Sequence, residues 1–185
     1  MPLNVQMSNL WKMNTSNAGK LEEYKQLFAK HGFDLSASTM DIREIDADPL
    51  LVVVHKASQM NEMVLIDDTA LHIEGEEIGI HIRWLLSHLA NYIGKSAEWI
   101  VFLAYRKENK VHIYQGMVKG KIVPPQGEGG FGFDAMFLPN GSEKTLAQGK
   151  PDEINARAMA VQALIKNEPI AILPTMNQWE GAWQP

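Results

Sequence analysis

Hydrophobic and polar positions alternate along the chain in a way that predicts strands followed by helices. Residues 8–14 fit a strand. Hydrophobic residues then recur every three or four positions, which is the period of a helix with one buried face. They are Leu21, Tyr24, Leu27 and Phe28. A turn of small polar residues, 15–20, therefore connects a strand to a helix near the start of the chain.

A second helix is predicted after residue 48. Asp48 and Pro49 match an N-cap followed by proline at the first helical position. Residues 50–54 also have strand propensity, so the hydrophobic period alone does not decide this element. We expect a helix over residues 49–60.

The second half of the chain combines helices with one long hairpin. Residues 99–105 and 111–118 fit a β-hairpin that turns at residues 107–110. Amphipathic helices are predicted on either side of it, over residues 82–89 and 152–166. Strands interspersed with helices indicate an α/β fold with a mixed sheet. The length of 185 residues fits a single domain, 1–185.

Composition and charge narrow the classes of protein. Hydrophobic and charged fractions of 45% and 21% are ordinary for a globular protein. The absence of cysteine excludes disulfides and thiolate metal sites and fits a reducing cytoplasm. The net charge of −5 argues against a general nucleic-acid binder, and no apolar run approaches the ~20 residues of a membrane span. We therefore expect a cytoplasmic protein with no nucleic-acid or membrane partner.

Residues 127–134 form the most unusual stretch of the sequence, with four glycines in six positions. Glycine loses more conformational freedom on folding than any other residue, so this density is expected where the backbone approaches a ligand closely or adopts positive φ. Phe131 and Phe133 offer stacking faces and Asp134 offers an acceptor. The combination suggests a pocket for a flat, polar ligand such as a nucleobase.

Three acids are candidates for metal chemistry. The apolar run of residues 64–66 ends at Asp67 and Asp68, which predicts a short buried strand that presents two carboxylates at its C-terminal end. Together with Glu44 they can hold Mg²⁺, which prefers oxygen ligands and keeps waters for substrate phosphates. The alternative is a capped turn with solvated acids.

Basic and small polar residues are candidates for anion binding. The turn at residues 15–20 can present free N–H groups of a helix N-terminus to a phosphate, joined by Lys20, or it can be plain capping chemistry beside an exposed lysine. Lys150 and Arg157 flank the start of the last predicted helix. They fit either a ligand site or a surface ion-pair network.

Three segments, taken in order, resemble the inosine triphosphate pyrophosphatase family, which hydrolyses deaminated purine nucleotides. Residues 15–23 (TSNAGKLEE) resemble its opening nucleotide-binding turn, and residues 64–69 (VLIDDT) resemble the strand with its catalytic acid. Residues 127–134 (GEGGFGFD) resemble its base-binding loop. The likeness runs over about residues 13–166. The tail, residues 168–185, lies outside it and is expected to pack on the body or on a partner, with a lid or an interaction segment as the alternative.

The resemblance implies an elongated, two-lobed α/β fold with a central mixed twisted sheet flanked by helices and an active-site cleft between the lobes, in a homodimer. It implies Mg²⁺-dependent hydrolysis of (deoxy)ITP- or XTP-like nucleotides between the α and β phosphates. Asp68 would be the proton acceptor, and the metal ligands would be Glu44, Asp67 and Asp68. The phosphate ligands would be Thr15, Ser16, Asn17, Lys20 and Thr69. The base and sugar would contact Phe131, Gly132, Phe133, Asp134, Lys150 and Arg157.

The last predicted helix departs from the family pattern. The family has Ser-His-Arg where this chain has Asn155, Ala156 and Arg157. The usual lysine, six residues before the arginine, is replaced by Pro151, and Lys150 lies one position away. Loss of the histidine removes a ring that can donate to a base oxygen. The same reaction on another modified purine or a pyrimidine triphosphate, or an inactive nucleotide-binding module, therefore stands as an alternative.

Overall fold

The computed structural model describes residues 9–76 and 82–185. The strands in these residues are β1 (Leu10–Asn14), β2 (Asp34–Ser38), β3 (Val64–Ile73), β4 (Ser96–Lys107), β5 (Lys110–Ile122), β6 (Phe137–Pro139) and β7 (Ala171–Pro174). The α-helices are α1 (Ala18–Ala29), α2 (Pro49–Ser58), α3 (Ile82–His88) and α4 (Ala156–Ile165). Together they form one sheet with helices on its faces.

The sheet is mixed, as predicted. Its order is β2-β1-β3-β4-β5-β6, and β7 pairs with β5 as well. β1 runs parallel to β2 and to β3, whereas β3, β4 and β5 are antiparallel to one another in turn. The predicted hairpin is confirmed as β4 and β5, although both strands are longer than expected.

Two hydrophobic layers bury β4 on both faces. Trp99, Val101 and Leu103 belong to the cluster that contains the buried residues of α1 and α4. Ile100 and Phe102 belong to the cluster that contains the buried residues of α2. Because side chains alternate along a strand, a continuous apolar run supplies both layers at once.

β3 differs from the prediction in length, and its acids lie in its middle rather than at its end. The strand continues to Ile73 because β4 pairs with it over the full distance from Ile66 to Ile73. β1 pairs with β3 only as far as Leu65. The two acids therefore lie where β3 loses its neighbour on one side, and an opening begins there.

Several boundaries differ from expectation for local reasons. The first strand begins at Leu10, while position 8 of the prediction lies outside the described residues. The helix after Asp48 is confirmed and ends at Ser58. The last predicted helix is broken, since a 3₁₀ turn (Asp152–Ile154) comes first and Asn155 then caps α4. The polar strand β2 was not predicted.

The tail packs on the body of the molecule. β7 pairs with the start of β5, and Trp183 forms an isolated bridge with Ile45. The helix expected over residues 82–89 is α3, continued by a 3₁₀ turn (Leu89–Tyr92).

Candidate active site

A cavity of about 480 Å³ opens beside the middle of β3. It lies past the carboxyl ends of the parallel strands β1 and β2, where ligands commonly bind in open α/β sheets. All the site residues predicted from the sequence line it except Lys150. These are Thr15, Ser16, Asn17, Lys20, Glu44, Asp67, Asp68, Thr69, Phe131, Gly132, Phe133, Asp134 and Arg157.

The turn from β1 into α1 is a capped helix N-terminus that faces the cavity. Asn17 Oδ1 accepts the backbone N–H of Lys20 at 3.0 Å, and Thr15 Oγ1 accepts that of Asn17 at 3.2 Å. The expected capping chemistry is therefore present. It occupies some of the N–H groups and leaves the dipole of a twelve-residue helix directed at the cavity.

Asp67 lies on the face of β3 that packs against α1. Lys20 Nζ lies 3.4 Å from Asp67 Oδ2, and the hydroxyl of Tyr24 donates to the same oxygen at 3.2 Å. Burial alone would raise the pKa of this carboxyl, but Lys20, Lys56 and Arg157 outweigh it and hold the pKa below its ordinary value. Asp67 is therefore a buried anion with its charge already balanced by the protein.

Asp68 lies on the opposite face of β3, near α2. Lys56 Nζ lies 3.1 Å from Glu44 Oε1 and 3.9 Å from Asp68 Oδ1, and it donates to the backbone oxygen of Asp67 at 2.8 Å. Burial, followed by repulsion from Glu44 and Asp67, raises the pKa of Asp68 to about 7 against the attraction of Lys56 and Lys20. The positive charges of Lys56 and Lys20 therefore do not fully offset the cost of ionising Asp68 in its buried, acidic surroundings.

The donor set of Glu44 and Asp68 fits a hard divalent cation. Both carboxylates already converge on one cationic atom, Lys56 Nζ. Among the described residues no group of three or more acids or histidines is arranged as a metal cage. Mg²⁺ does not require one, because it commonly uses one or two carboxylates together with waters and substrate phosphates.

The glycine-rich loop is shaped around the carboxylate of Asp134. Gly130 has φ +71°, and a Cβ at that position would overlap the Asp134 side chain. Asp134 Oδ2 accepts the backbone N–H of Phe131 at 3.0 Å and Lys150 Nζ at 2.7 Å. The ring of Phe133 meets Trp99 edge to face in the core. The loop therefore presents a fixed aromatic and carboxylate wall to the cavity.

Arg157 is buried at the start of α4, and its side chain reaches the cavity next to the glycine-rich loop. It is 3% exposed, and its Nη1 donates to Glu23 Oε2 at 3.2 Å. Its guanidinium carbon lies 4.8 Å from the centre of the Phe131 ring. Its Nε has no hydrogen-bond partner among the described residues. The guanidinium group as a whole lines the cavity, although Nε itself is enclosed by protein atoms.

Asn155 and Ala156, which differ from the family pattern, do not line the cavity. Asn155 Oδ1 accepts the backbone N–H groups of Arg157 and Ala158, so this side chain is an N-cap. Ala156 is fully buried in the core, and its carbonyl oxygen lies against Gly116 of β5. The alanine side chain is therefore part of the core and does not face the cavity.

Three residues that join the site were not named as candidates for it. Glu23 holds Lys150, Asn155 and Arg157 together, and Tyr24 and Lys56 hold the two acids. The sequence contains a clue to two of them. Glu23 and Tyr24 follow Lys20 by three and four positions, so the three side chains lie on the same face of the helix. Nothing in the local sequence marked Lys56.

Removal of one hydroxyl tests the electrostatic role of Tyr24. We expect Tyr24→Phe to lower the free energy of unfolding by about 1.5 kcal/mol, because a hydrogen bond to a buried charge is lost, and to raise the pKa of Asp67. Urea unfolding at pH 7 measures the change. Tyr92→Phe is the control, since that hydroxyl makes no hydrogen bond to the described residues. Equal stability of the two variants would contradict the assignment.

No helix in the described ranges, 9–76 and 82–185, combines the length and the hydrophobicity needed to cross a membrane.

A solved structure shares this fold. It is the crystal structure of nucleoside-triphosphatase / dITP/XTP pyrophosphatase from Mycobacterium abscessus, with a TM-score of 0.53 and 22% identity. The match covers 85% of this chain and 95% of that chain. At this level of identity the likeness concerns the fold, and the expectation of a central mixed sheet flanked by helices is confirmed.

Curated relatives match most of the chain. Inosine triphosphate pyrophosphatase of Yarrowia lipolytica is 34% identical over 170 residues, which cover 82% of this chain and 90% of the relative. dITP/XTP pyrophosphatase of Thermococcus kodakarensis is 30% identical over 158 residues, with coverages of 76% and 85%. The family model that matches residues 12–167 bears the description "Ham1 family". The resemblance seen in the sequence is thereby confirmed, and this chain belongs to the Ham1 family.

Proposed function

We propose that this protein is a Mg²⁺-dependent nucleoside triphosphate pyrophosphatase that acts on (deoxy)ITP- and XTP-like purine nucleotides. It cleaves between the α and β phosphates and releases a monophosphate and pyrophosphate. The observation that carries the proposal is one cavity with two kinds of wall. Carboxylates that can hold a cation and a helix N-terminus line one part, and aromatic rings with the guanidinium group of Arg157 line the other. The names of the curated relatives support the same reaction.

The phosphates lie, in this proposal, at the N-terminus of α1. Lys20 supplies a positive charge that Asp67 holds in place. The hydroxyl and amide groups at this end of the cavity belong to Thr15, Ser16, Asn17 and Thr69. Phosphoryl transfer requires positioning and charge neutralisation more than covalent participation, and this set of groups provides both.

Glu44 and Asp68 hold the Mg²⁺ ion, and Asp67 stays behind them as the partner of Lys20. Asp67 is not a Mg²⁺ ligand in this proposal, because Lys20 and Tyr24 already contact its carboxylate. A bound Mg²⁺ neutralises charge on the pyrophosphate and favours ionised Asp68. Asp68 then accepts the proton of the attacking water, a role open to a carboxylate that the ion keeps ionised at neutral pH.

The base and sugar lie between the glycine-rich loop and Arg157. Phe131 and Phe133 shape the wall, and Asp134 fixes the loop together with Lys150. The guanidinium group of Arg157 lines this part of the cavity and donates to an acceptor on the ligand, and a 6-keto purine offers such an oxygen. Lys150 acts through Asp134 and Glu23 in this proposal and not as a direct ligand.

A second candidate is the same reaction on a different modified purine or a pyrimidine triphosphate. The observation that favours it is that neither Asn155 nor Ala156 lines the cavity, so the histidine contact of the family pattern has no counterpart here. Arg157 alone then reads the base from this helix. A nucleotide-binding module without catalysis is less compatible with the acid pair.

Pyrophosphate release from a substrate panel tests the function. ITP, dITP, XTP and the standard triphosphates are compared at pH 8 with Mg²⁺ and with EDTA. We expect turnover with Mg²⁺ only, and a higher kcat/KM for the 6-keto purines that lack a 2-amino group than for ATP. A folded protein that turns over no member of the panel would refute the proposal. Preference for another base would establish the second candidate.

A homodimer in the cytoplasm completes the proposal. The side chains of Trp84 and Ile93 are 48% and 44% exposed, which is consistent with a surface that another copy covers. Light scattering coupled to size exclusion measures the mass directly. A monomer at micromolar concentration would contradict this part alone.

A further inference from the structure

Residues 179–184 return from β7 to the segment that carries Glu44. The backbone N–H of Gln184 donates to the carbonyl oxygen of Glu44 at 2.9 Å, and that of Asp46 donates to the carbonyl oxygen of Ala182 at 2.9 Å. The side chain of Gln184 adds a bond from Nε2 to the carbonyl oxygen of Ile45 at 3.1 Å. Three hydrogen bonds therefore join two stretches of chain that lie far apart in sequence.

The side chain of Trp183 anchors this contact. Its ring meets the ring of His55 on α2 edge to face, with centroids 5.4 Å apart. The guanidinium carbon of Arg43 lies 4.8 Å from the centre of the same ring. Trp183 thus links α2 to the residue that precedes Glu44.

The other anchors of this segment are the fully buried side chain of Ile45 and two hydrogen bonds between Asn14 and Met40, which precedes Glu44 in the chain. The connection between β2 and α2 contains no helix and no ladder of strand pairs in residues 39–48, all of which are described, and the bridge from Ile45 to Trp183 is its regular pairing. The carboxylate itself contacts Lys56. Gln184 also lines the cavity that Glu44 and Asp68 face.

We propose that residues 179–184 are a positioning element for the metal site, because they fix the backbone of Glu44 so that its carboxylate meets Asp68 and a bound ion. The inference rests on the proposed function for the identity of that ion. The family model ends at residue 167, so the element lies beyond the matched region. Groups that orient metal ligands typically change metal affinity by about 10–100-fold when they are removed.

Calorimetric titration with Mg²⁺ at pH 8 tests the inference without substrate. Trp183→Ala is expected to weaken Mg²⁺ binding about tenfold or more. Trp183→Phe keeps a ring between Arg43 and His55 and is expected to bind close to wild type. Excess Mg²⁺ should restore kcat of Trp183→Ala, because the loss is one of ion affinity.

A second pair of variants isolates one hydrogen bond. Gln184→Pro removes the N–H that donates to Glu44 and is expected to weaken Mg²⁺ binding, whereas Gln184→Ala keeps that donor and retains most of the affinity. This pair decides the matter if circular dichroism shows that Trp183→Ala does not fold.

Mg²⁺ binding and pyrophosphate release test the inference and the proposed function separately. Folded Trp183→Ala and Gln184→Pro that bind Mg²⁺ like wild type would overturn the inference, even if wild type releases pyrophosphate. A wild-type protein that binds no Mg²⁺ without substrate would also overturn the inference, whereas the metal dependence of the proposed function is tested separately by pyrophosphate release with Mg²⁺ and with EDTA.

Discussion

Asp68→Asn is expected to lower kcat about a hundredfold or more, since a positioned general base typically contributes roughly 10²–10⁴ in rate. Asparagine keeps the shape of the side chain but cannot accept the proton of water, and it brings one negative charge less to the ion. Pyrophosphate release at saturating Mg²⁺ measures the change. The variant should still bind the nucleotide, and unchanged turnover would refute the role of Asp68.

In the absence of metal, the raised pKa of Asp68 makes the stability of the wild-type protein depend on pH. The pKa of Asp68 in the folded protein is about 7, raised by burial and then by Glu44 and Asp67. The folded state therefore retains a proton that the unfolded chain has released, and stability falls as pH rises from about 4 to about 7, by up to about 1.4 kcal/mol per pH unit.

Asp68→Asn removes that pH slope. Urea unfolding in EDTA at pH 5 and at pH 8 should show a wild type that loses stability at pH 8 and a variant that loses less. Glu98→Gln is the control, because its side chain is 40% exposed and its ion pair with Lys119, at 4.0 Å, lies at the surface. Parallel pH profiles for wild type and Asp68→Asn would contradict the raised pKa.

Gly116→Ala is expected to destabilise the protein by about 3 kcal/mol, the upper part of the usual range for overpacking. A Cβ at this position of β5 would overlap the carbonyl oxygen of Ala156 and lie 3.0 Å from the backbone nitrogen of Ala160. Both are main-chain atoms of α4, so the whole helix has to move and Arg157 moves with it. Urea unfolding measures the loss, and KM for the triphosphate should rise.

Gly149→Ala is the matched control for this substitution. Within residues 9–76 and 82–185, no atom other than those of its chain neighbours lies within 4 Å of a Cβ added there. We expect its free energy of unfolding to stay within about 0.5 kcal/mol of wild type. If Gly116→Ala is as stable as Gly149→Ala, the close approach of α4 to β5 is wrong.

The sequence allowed prediction of the features that local chemistry determines. A proline after an aspartate marked the start of α2, and small polar residues marked the turn into α1. The glycines around Phe131 indicated a shaped loop, and Gly130 does adopt positive φ against Asp134. The resemblance to the family then predicted that these segments surround one cleft. The roles of their residues in that cleft stay predictions.

Features that depend on contacts between residues far apart in the sequence could not be predicted. The length of β3 follows from its pairing with β4, so Asp67 and Asp68 lie in mid-strand and face opposite layers. Lys56 joins the site only because α2 packs against that strand. The contact of Trp183 with Ile45 links positions without any shared local pattern.

The hairpin of β4 and β5 has a further consequence for the order of folding. Its partners are close in sequence, so closing the turn costs little chain entropy and we expect it to form early. The cavity requires Lys20 to meet Asp67 across 47 positions and Glu23 to meet Arg157 across 134. Catalytic competence is therefore expected to be the last property that the refolding chain acquires, well after most of the sheet has formed.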